Sequence, residues 1–232
     1  MSVPASSQQG ISKEQIEYFI TWAKRLVDDD AVVEKTPHGD EALVYKVDSK
    51  KGNYFLKIKP GSKSTKELDR LKWFKEKLPV PEVVGAVEKD GSRAMLTTAL
   101  LGKDLKELAQ EWPAEKVVEK LVEILHTFHS VDAKSWPFDE PAFGKIIIHG
   151  DACLPNFIFN KDNFSGYIDL GGAELGDRDV DLATAIWSLE YNLGKGYGLQ
   201  FLQKYGYENP TEEIVEKLCL SEEARQRELG FL

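Results

Sequence analysis

His149-Gly150-Asp151-Ala152-Cys153-Leu154-Pro155-Asn156, running on as FIFNKDNFSGYIDLGG to Gly172, is the stretch that organises this chain of 232 residues. Asp151 is followed five positions later by Asn156, and Asp169 comes thirteen residues after that. The apolar run Ile146-Ile147-Ile148 leads in as a strand, and Tyr167-Ile168 closes a second one. A turn near Asp162-Asn163 joins two strands that set Asn156 and Asp169 side by side. Taken singly, these are ordinary turn and cap residues. Together they supply a carboxylate base and two hard oxygen donors, which is what moving a γ-phosphoryl group with magnesium requires.

The Asp-x-x-x-x-Asn spacing is that of kinase catalytic loops, in which the Asp accepts the hydroxyl proton and the Asn ligates metal. Such a site also needs a cation on the nucleotide phosphates. Lys57 fits, because it alternates with apolar neighbours on the strand Tyr54-Phe55-Leu56-Lys57-Ile58. Glu67, on the helix that follows, is the carboxylate placed to orient it.

Outward from these residues the chain reads as two parts. Ser12 caps a helix with Ile16, Phe19, Ile20, Ala23 and Val27 on one side. Ala42–Val47 and Tyr54–Lys59 form a hairpin about Ser49–Asn53, and helical spacing returns over Ser64–Lys77, closed by Pro79 and Pro81. A second hairpin, Glu82–Glu88 with Arg93–Ala99, turns at Asp90-Gly91. Beyond it the pattern is mostly helical, with a strongly amphipathic helix from near Pro113 to near Ser130. The expected class is α+β in two lobes: residues 1–97 β-rich and nucleotide-binding, 98–102 a hinge, and 103–232 mainly helical and catalytic.

The formal net charge of −9 lacks the basic footprint of a nucleic-acid binder and suits a polycationic small molecule instead. Cys153 and Cys219 have no zinc-type spacing and read as free thiols in a reducing compartment. Met1–Gly10 is polar with no apolar signal core, and no stretch approaches a membrane span, so a cytoplasmic protein is expected. Oligomeric state is not readable.

The run from His149 to Ala185 resembles the catalytic core of the aminoglycoside 3'-phosphotransferases, a branch of the protein-kinase-like fold. The similarity extends through Leu125-His126-Thr127-Phe128-His129-Ser130, Leu100–Leu105 and Lys77-Leu78-Pro79-Val80-Pro81, and so covers most of the chain. The resemblance implies ATP and Mg2+ as cofactors and an aminoglycoside hydroxyl, the 3', as acceptor. It implies Asp151 as catalytic base, Asn156 and Asp169 as metal ligands, and Lys57 held by Glu67 on the phosphates. Phe55 would stack on adenine, while backbone groups of Thr98 and Leu100 would hydrogen-bond it. Asp181 and His149 would brace the catalytic loop, with His126 and His129 packing or capping their helix.

The chain departs from that family in four places. Asp40 stands where the nucleotide loop usually has Ser, Gly172 replaces a frequent Arg, and the chain ends Arg227-Glu228-Leu229-Gly230-Phe231-Leu232 instead of in an acidic-aromatic tail. The segment Val131–Ile148 is too short for the helices that usually complete an acidic drug pocket. Acids that can serve a cationic acceptor are Asp139, Glu140, Glu174, Asp177, Glu190, Glu212, Glu213, Glu216, Glu222, Glu223 and Glu228. Two alternatives stay open: a kinase of the same fold acting on another small hydroxylated substrate, or a nucleotide-binding relative without transfer.

Overall fold

The computed structural model describes residues 10–37, 42–61, 65–138 and 146–230. The readings placed on Met1 to Gln9, Gly39–Glu41, Ser64, Asp139, Glu140, Phe231 and Leu232 lie outside these residues, as does the 139–145 part of the shortened segment. The chain forms two compact units. One comprises residues 1–76 with 80–100, the other residues 77–79 with 101–232.

The first unit begins with helix α1 (Lys13–Val27), whose start is a reciprocal cap. Ser12 Oγ accepts the Gln15 N–H at 3.1 Å, and Gln15 Oε1 accepts the Ser12 N–H at 2.8 Å, an arrangement that contributes about 1 kcal/mol. Strands β1 (Val32–Lys35), β2 (Leu43–Ser49), β3 (Gly52–Pro60), β4 (Val83–Lys89) and β5 (Ser92–Thr98) make one antiparallel sheet in the order β1-β2-β3-β5-β4. Phe19, Ala23 and Val27 of α1 are buried with Val47, Leu56, Ile58, Ala94 and Leu96 from the sheet. Since side chains alternate along a strand, Leu56 and Ile58 in this core put Phe55 and Lys57 on the other face of β3.

The β4–β5 turn holds Asp90 at φ 50° and Gly91 at φ 74°, the pair of left-handed residues that a tight hairpin with native twist demands. Gln15 Nε2 reaches the carbonyls of Lys89 and Asp90 at 3.3 and 3.2 Å and so ties α1 to this turn. Helix α2 (Thr65–Phe74) buries Glu67, Arg70, Leu71 and Phe74. It stops three residues short of the Lys77 expected from its spacing. The chain leaves it because Lys77–Pro79 belong to the second unit, where the Tyr167 N–H donates to the Pro79 carbonyl at 3.0 Å.

The second unit contains strands β6 (Lys103–Asp104), β7 (Ile146–Ile148), β8 (Phe157–Asn160), β9 (Asn163–Tyr167) and β10 (Glu174–Gly176). Its helices are α3 (Leu105–Leu108), α4 (Ala114–His129), α5 (Arg178–Leu193), α6 (Tyr197–Tyr205) and α7 (Glu212–Leu229). β6-β8-β9 form one small sheet, and β7 pairs with β10 in another. α4 buries Val117, Val118, Leu121, Ile124, Leu125 and Phe128, the face its periodicity announces. The Tyr167 hydroxyl donates to the Ile124 carbonyl at 2.7 Å and fixes β9 to α4, with burial pushing the phenol pKa up. α5 is buried nearly all round, through Leu182, Ala183, Ala185, Ile186 and Leu189, which makes it the unit's central post. Among the described residues no helix is long and apolar enough to cross a membrane.

Candidate active site

The loop after β7 carries Asp151, and the structure shows what holds it. Gly150 sits at φ 78°, the left-handed region, and a Cβ added there would run into the Gly172 carbonyl oxygen. Only glycine fits where these two loop backbones meet. Asp181, fully buried on α5, accepts the His149 N–H at 2.6 Å with Oδ2 and the Gly150 N–H at 2.8 Å with Oδ1. His129 Nε2 lies 2.9 Å from the same Oδ2, and its Nδ1 lies 2.7 Å from the Tyr205 hydroxyl. His129 therefore extends the brace rather than merely packing its helix. His126 stacks flat on Tyr205, with ring centroids 4.3 Å apart.

His149 is fully buried, and its partners fix its tautomer. The Asp151 N–H donates to Nδ1 at 3.3 Å, so Nε2 carries the proton that points to the Ile168 carbonyl at 3.1 Å. A neutral ring in this setting is a spacer between two loops, and both of its nitrogens are occupied.

Asn156 and Asp169 follow from the β8–β9 hairpin. The Ile168 N–H donates to the Asn156 carbonyl at 3.0 Å, which sets Asp169 one residue beyond the pair. The turn itself is Lys161-Asp162, one residue earlier than expected, with Lys161 at φ 56°. Asn156 is 8% exposed, and its Nδ2 donates to both the Asp151 carbonyl and Asp151 Oδ2, each at 2.8 Å. With the amide nitrogen so engaged, Oδ1 is the atom able to face a cation. Asp169 is exposed and adopts φ 56°, a left-handed conformation that Asp tolerates better than most residues. Among the described residues no cluster of three or more His, Cys, Asp or Glu side chains can hold a metal. One carboxylate and one carboxamide oxygen nonetheless fit magnesium, which is commonly held by one or two protein oxygens together with substrate phosphates.

The Cys153 thiol is half-buried, and its pKa is driven far up, first by burial and then by the neighbouring Asp151 carboxylate. From the sequence it reads only as a free cysteine. Burial keeps it a neutral thiol beside Asp151, and nothing in the spacing could have announced that.

The first unit holds the other candidates. Lys57 Nζ meets Glu67 Oε2 at 2.8 Å and Oε1 at 3.0 Å, with both side chains largely buried. Phe55 is 37% exposed, an aromatic face open to solvent. The Thr98 N–H is committed to the Glu82 carbonyl at 2.9 Å, and its hydroxyl oxygen accepts the Glu82 N–H at 2.9 Å. Of the Thr98 backbone groups, this leaves the carbonyl as the one suited to a ligand. Leu100 is half-buried at the end of the unit.

The profile of a family described as "Phosphotransferase enzyme family" matches residues 32–144 and 132–215. This chain belongs to that family. Among curated relatives it is 28% identical over 220 residues to an aminoglycoside 3'-phosphotransferase of Niallia circulans, covering 74% of this chain and 84% of the relative. It is 26% identical over 205 residues to one of Escherichia coli, covering 67% of this chain and 75% of that relative. Two solved structures share the fold. Aminoglycoside phosphotransferase APH(3'')-Id of Streptomyces rimosus matches with a TM-score of 0.71 at 17% identity, over 90% of this chain and 97% of that one. An aminoglycoside-3'-phosphotransferase of type VIII matches at 0.65 and 22%, over 82% and 91%. The two-lobed α+β class expected from the sequence is therefore the fold of this phosphotransferase.

One candidate acid is taken out of play. Glu222 is 1% exposed, and its carboxylate is filled by the chain's own donors, Arg225, Thr184 and Gln226. It cannot pair with a cationic substrate as the sequence suggested. The i,i+3 spacing of Glu222 and Arg225 on α7 permits this pair, while the contacts to Thr184 and Gly150 come from elements far off in sequence.

Proposed function

We propose that this protein phosphorylates the 3'-hydroxyl of an aminoglycoside antibiotic with ATP and magnesium, and thereby confers resistance. The observation that carries the reading is the Asp151 carboxylate, set on a loop clamped by Asp181 and tied to Asn156. Two relatives with that named activity, at 28% and 26% identity, supply the acceptor class. The S. rimosus enzyme of the same fold has been solved with ADP and streptomycin.

In this reading residues 1–97 bind the nucleotide, 98–102 connect, and 103–232 carry the chemistry. Phe55 stacks on the adenine ring, and the Thr98 carbonyl with the Leu100 backbone reads its edge. Lys57, oriented by Glu67, contacts the phosphates. Asn156 Oδ1 and Asp169 hold magnesium, which offsets charge on the phosphate oxygens when bound. Asp151 accepts the proton of the acceptor hydroxyl as its oxygen bonds to the γ-phosphorus and the bond to ADP breaks. The net charge of −9 favours a polycationic acceptor, and the two free thiols fit a reducing cytoplasm.

The occupied Glu222 favours a second reading, in which the acceptor is a less cationic hydroxylated molecule. Purified protein with MgATP is expected to phosphorylate kanamycin but not a 3'-deoxy analogue. Asp151→Ala should abolish transfer while ATP binding persists. Failure to phosphorylate any of a panel of aminoglycosides would sink the first reading, and transfer to another amino-sugar or amino-alcohol would establish the second.

A further inference from the structure

α7 brings a cation to the loop that carries Asp151. Arg225 Nε and Nη2 approach the two oxygens of the buried Glu222, each at 2.8 Å, in a bidentate pair. Thr184 of α5 donates its hydroxyl to Glu222 Oε2 at 3.0 Å, and Arg225 Nη2 lies 3.4 Å from that hydroxyl oxygen. The guanidinium is therefore fixed in plane by a carboxylate that itself is anchored to the central helix. Its remaining terminal nitrogen, Nη1, points to the Gly150 carbonyl oxygen at 3.4 Å. At that length the contact is an electrostatic hold more than a tight hydrogen bond, strengthened because the donor is fully charged.

Both backbone polar groups of Gly150 are thus held by side chains. Asp181 takes the N–H at 2.8 Å, and Arg225 faces the C=O. That carbonyl belongs to the peptide leading directly into Asp151, so its orientation sets the direction in which the Asp151 side chain leaves the backbone. Arg225 also lies within the field of the catalytic loop. Its proton is held more tightly than usual, first by Glu222 and further by the charge of Asp151.

We propose that Arg225 is a positioning residue for phosphoryl transfer: anchored by Glu222, its guanidinium holds the Gly150–Asp151 peptide and with it the aim of the Asp151 carboxylate. The proposal rests on the reading of Asp151 as the base. It gives α7 a role that a helix packed only for stability would not have.

Arg225→Met keeps the apolar stem, Arg225→Lys keeps the charge, and the double variant E222Q/R225M removes the carboxylate that the Met variant would leave buried and unpaired. Transfer from MgATP to kanamycin is measured for each. Amide hydrogen exchange is followed in parallel in a peptide spanning residues 149–156. R225M and the double variant are expected to lose kcat on the order of a hundredfold, with KM for ATP unchanged, because misaiming a catalytic group costs about that much. R225K should regain part of the loss. Exchange in 149–156 should quicken in R225M and the double variant while α4 stays protected. Wild-type kcat and wild-type exchange in the double variant would overturn the proposal. So would losses that merely track the folded fraction in a thermal melt. Should the wild type phosphorylate no aminoglycoside, the functional reading falls alone, and the exchange comparison still decides whether Arg225 holds the loop.

Discussion

Asp181 meets the Gly150 N–H at 2.8 Å through Oδ1 while its Oδ2 takes the neighbouring His149 N–H at 2.6 Å, so one carboxylate from α5 satisfies two consecutive amides of the loop. A buried anion is costly unless hydrogen-bonded, and here His129 supplies a third donor. The arrangement stores no spare capacity. Changing any member leaves another buried polar group without its partner.

Asp181→Asn is the mildest way to disturb it. The carboxamide keeps one acceptor oxygen but turns an NH2 group toward an amide that needs an acceptor. Stability should fall by about 1–3 kcal/mol, the usual cost of one buried unsatisfied group. Urea unfolding checks this. An unchanged midpoint would mean that the loop amides find other partners.

Gly150→Ala tests the backbone crossing. The left-handed φ of 78° and the abutting Gly172 carbonyl both oppose a Cβ. Strain of about 1–3 kcal/mol is expected from the conformation alone, with a loss of phosphotransfer larger than the loss of folded protein. Gly172→Ala should be milder, since a Cβ there approaches nothing closer than the 3.4 Å to the Gly150 and His149 backbones.

Glu67→Gln leaves the Lys57 ammonium with a neutral partner at the same place. The pair is well shielded, with side-chain exposures of 19% and 11%, so its loss should be felt. If Lys57 contacts nucleotide phosphates, KM for ATP should rise with little change in the KM for the acceptor. A rise confined to the acceptor would place Lys57 elsewhere.

Alkali should weaken the fold through a thiol. The Cys219 pKa is pushed up to about 11, by burial first and then by Glu190 and Glu223. Its folded value thus exceeds its unfolded one, and the stability this contributes is present below the ordinary value of 9.0 and lost as pH rises toward about 11. Cys219→Ser should flatten the fall of melting temperature over that interval. The same shift predicts slow alkylation at neutral pH, since the thiolate is the reactive form. Fast labelling by iodoacetamide at pH 7 would contradict it.

Much of this was legible in the sequence because it rests on local rules. Ser12 announces the start of α1, Asp90-Gly91 the β4–β5 turn, and the apolar period of Val117 to Phe128 the buried face of α4. The proximity of Asn156 to Asp169 follows from two short strands and a turn. What escaped was carried by distant partners. β10 exists because Glu174–Gly176 pairs with β7, which no local pattern in three residues reveals. The end of α2 is set by where residues 77–79 belong, and Arg225 matters through Glu222, Thr184 and a loop 75 residues away in sequence. Helical spacing indicates the pairs within α7, Glu222 with Arg225 and Glu223 with Arg227, and is silent about what they meet outside it.

The bond from the Tyr167 N–H to the Pro79 carbonyl has a consequence for how such a gene can change. It joins main chain to main chain, so the exposed side chain at position 79 is free to drift, while Leu78, buried beside it, must stay apolar. The spacing is fixed, because one inserted residue between α2 and β4 would carry a different carbonyl past Tyr167. Neither compact unit is a continuous stretch of sequence, and a crossover at residue 100 would pair one parent's 77–79 with the other parent's β9. Chimaeras between relatives should survive substitution at position 79 and fail on a change of length.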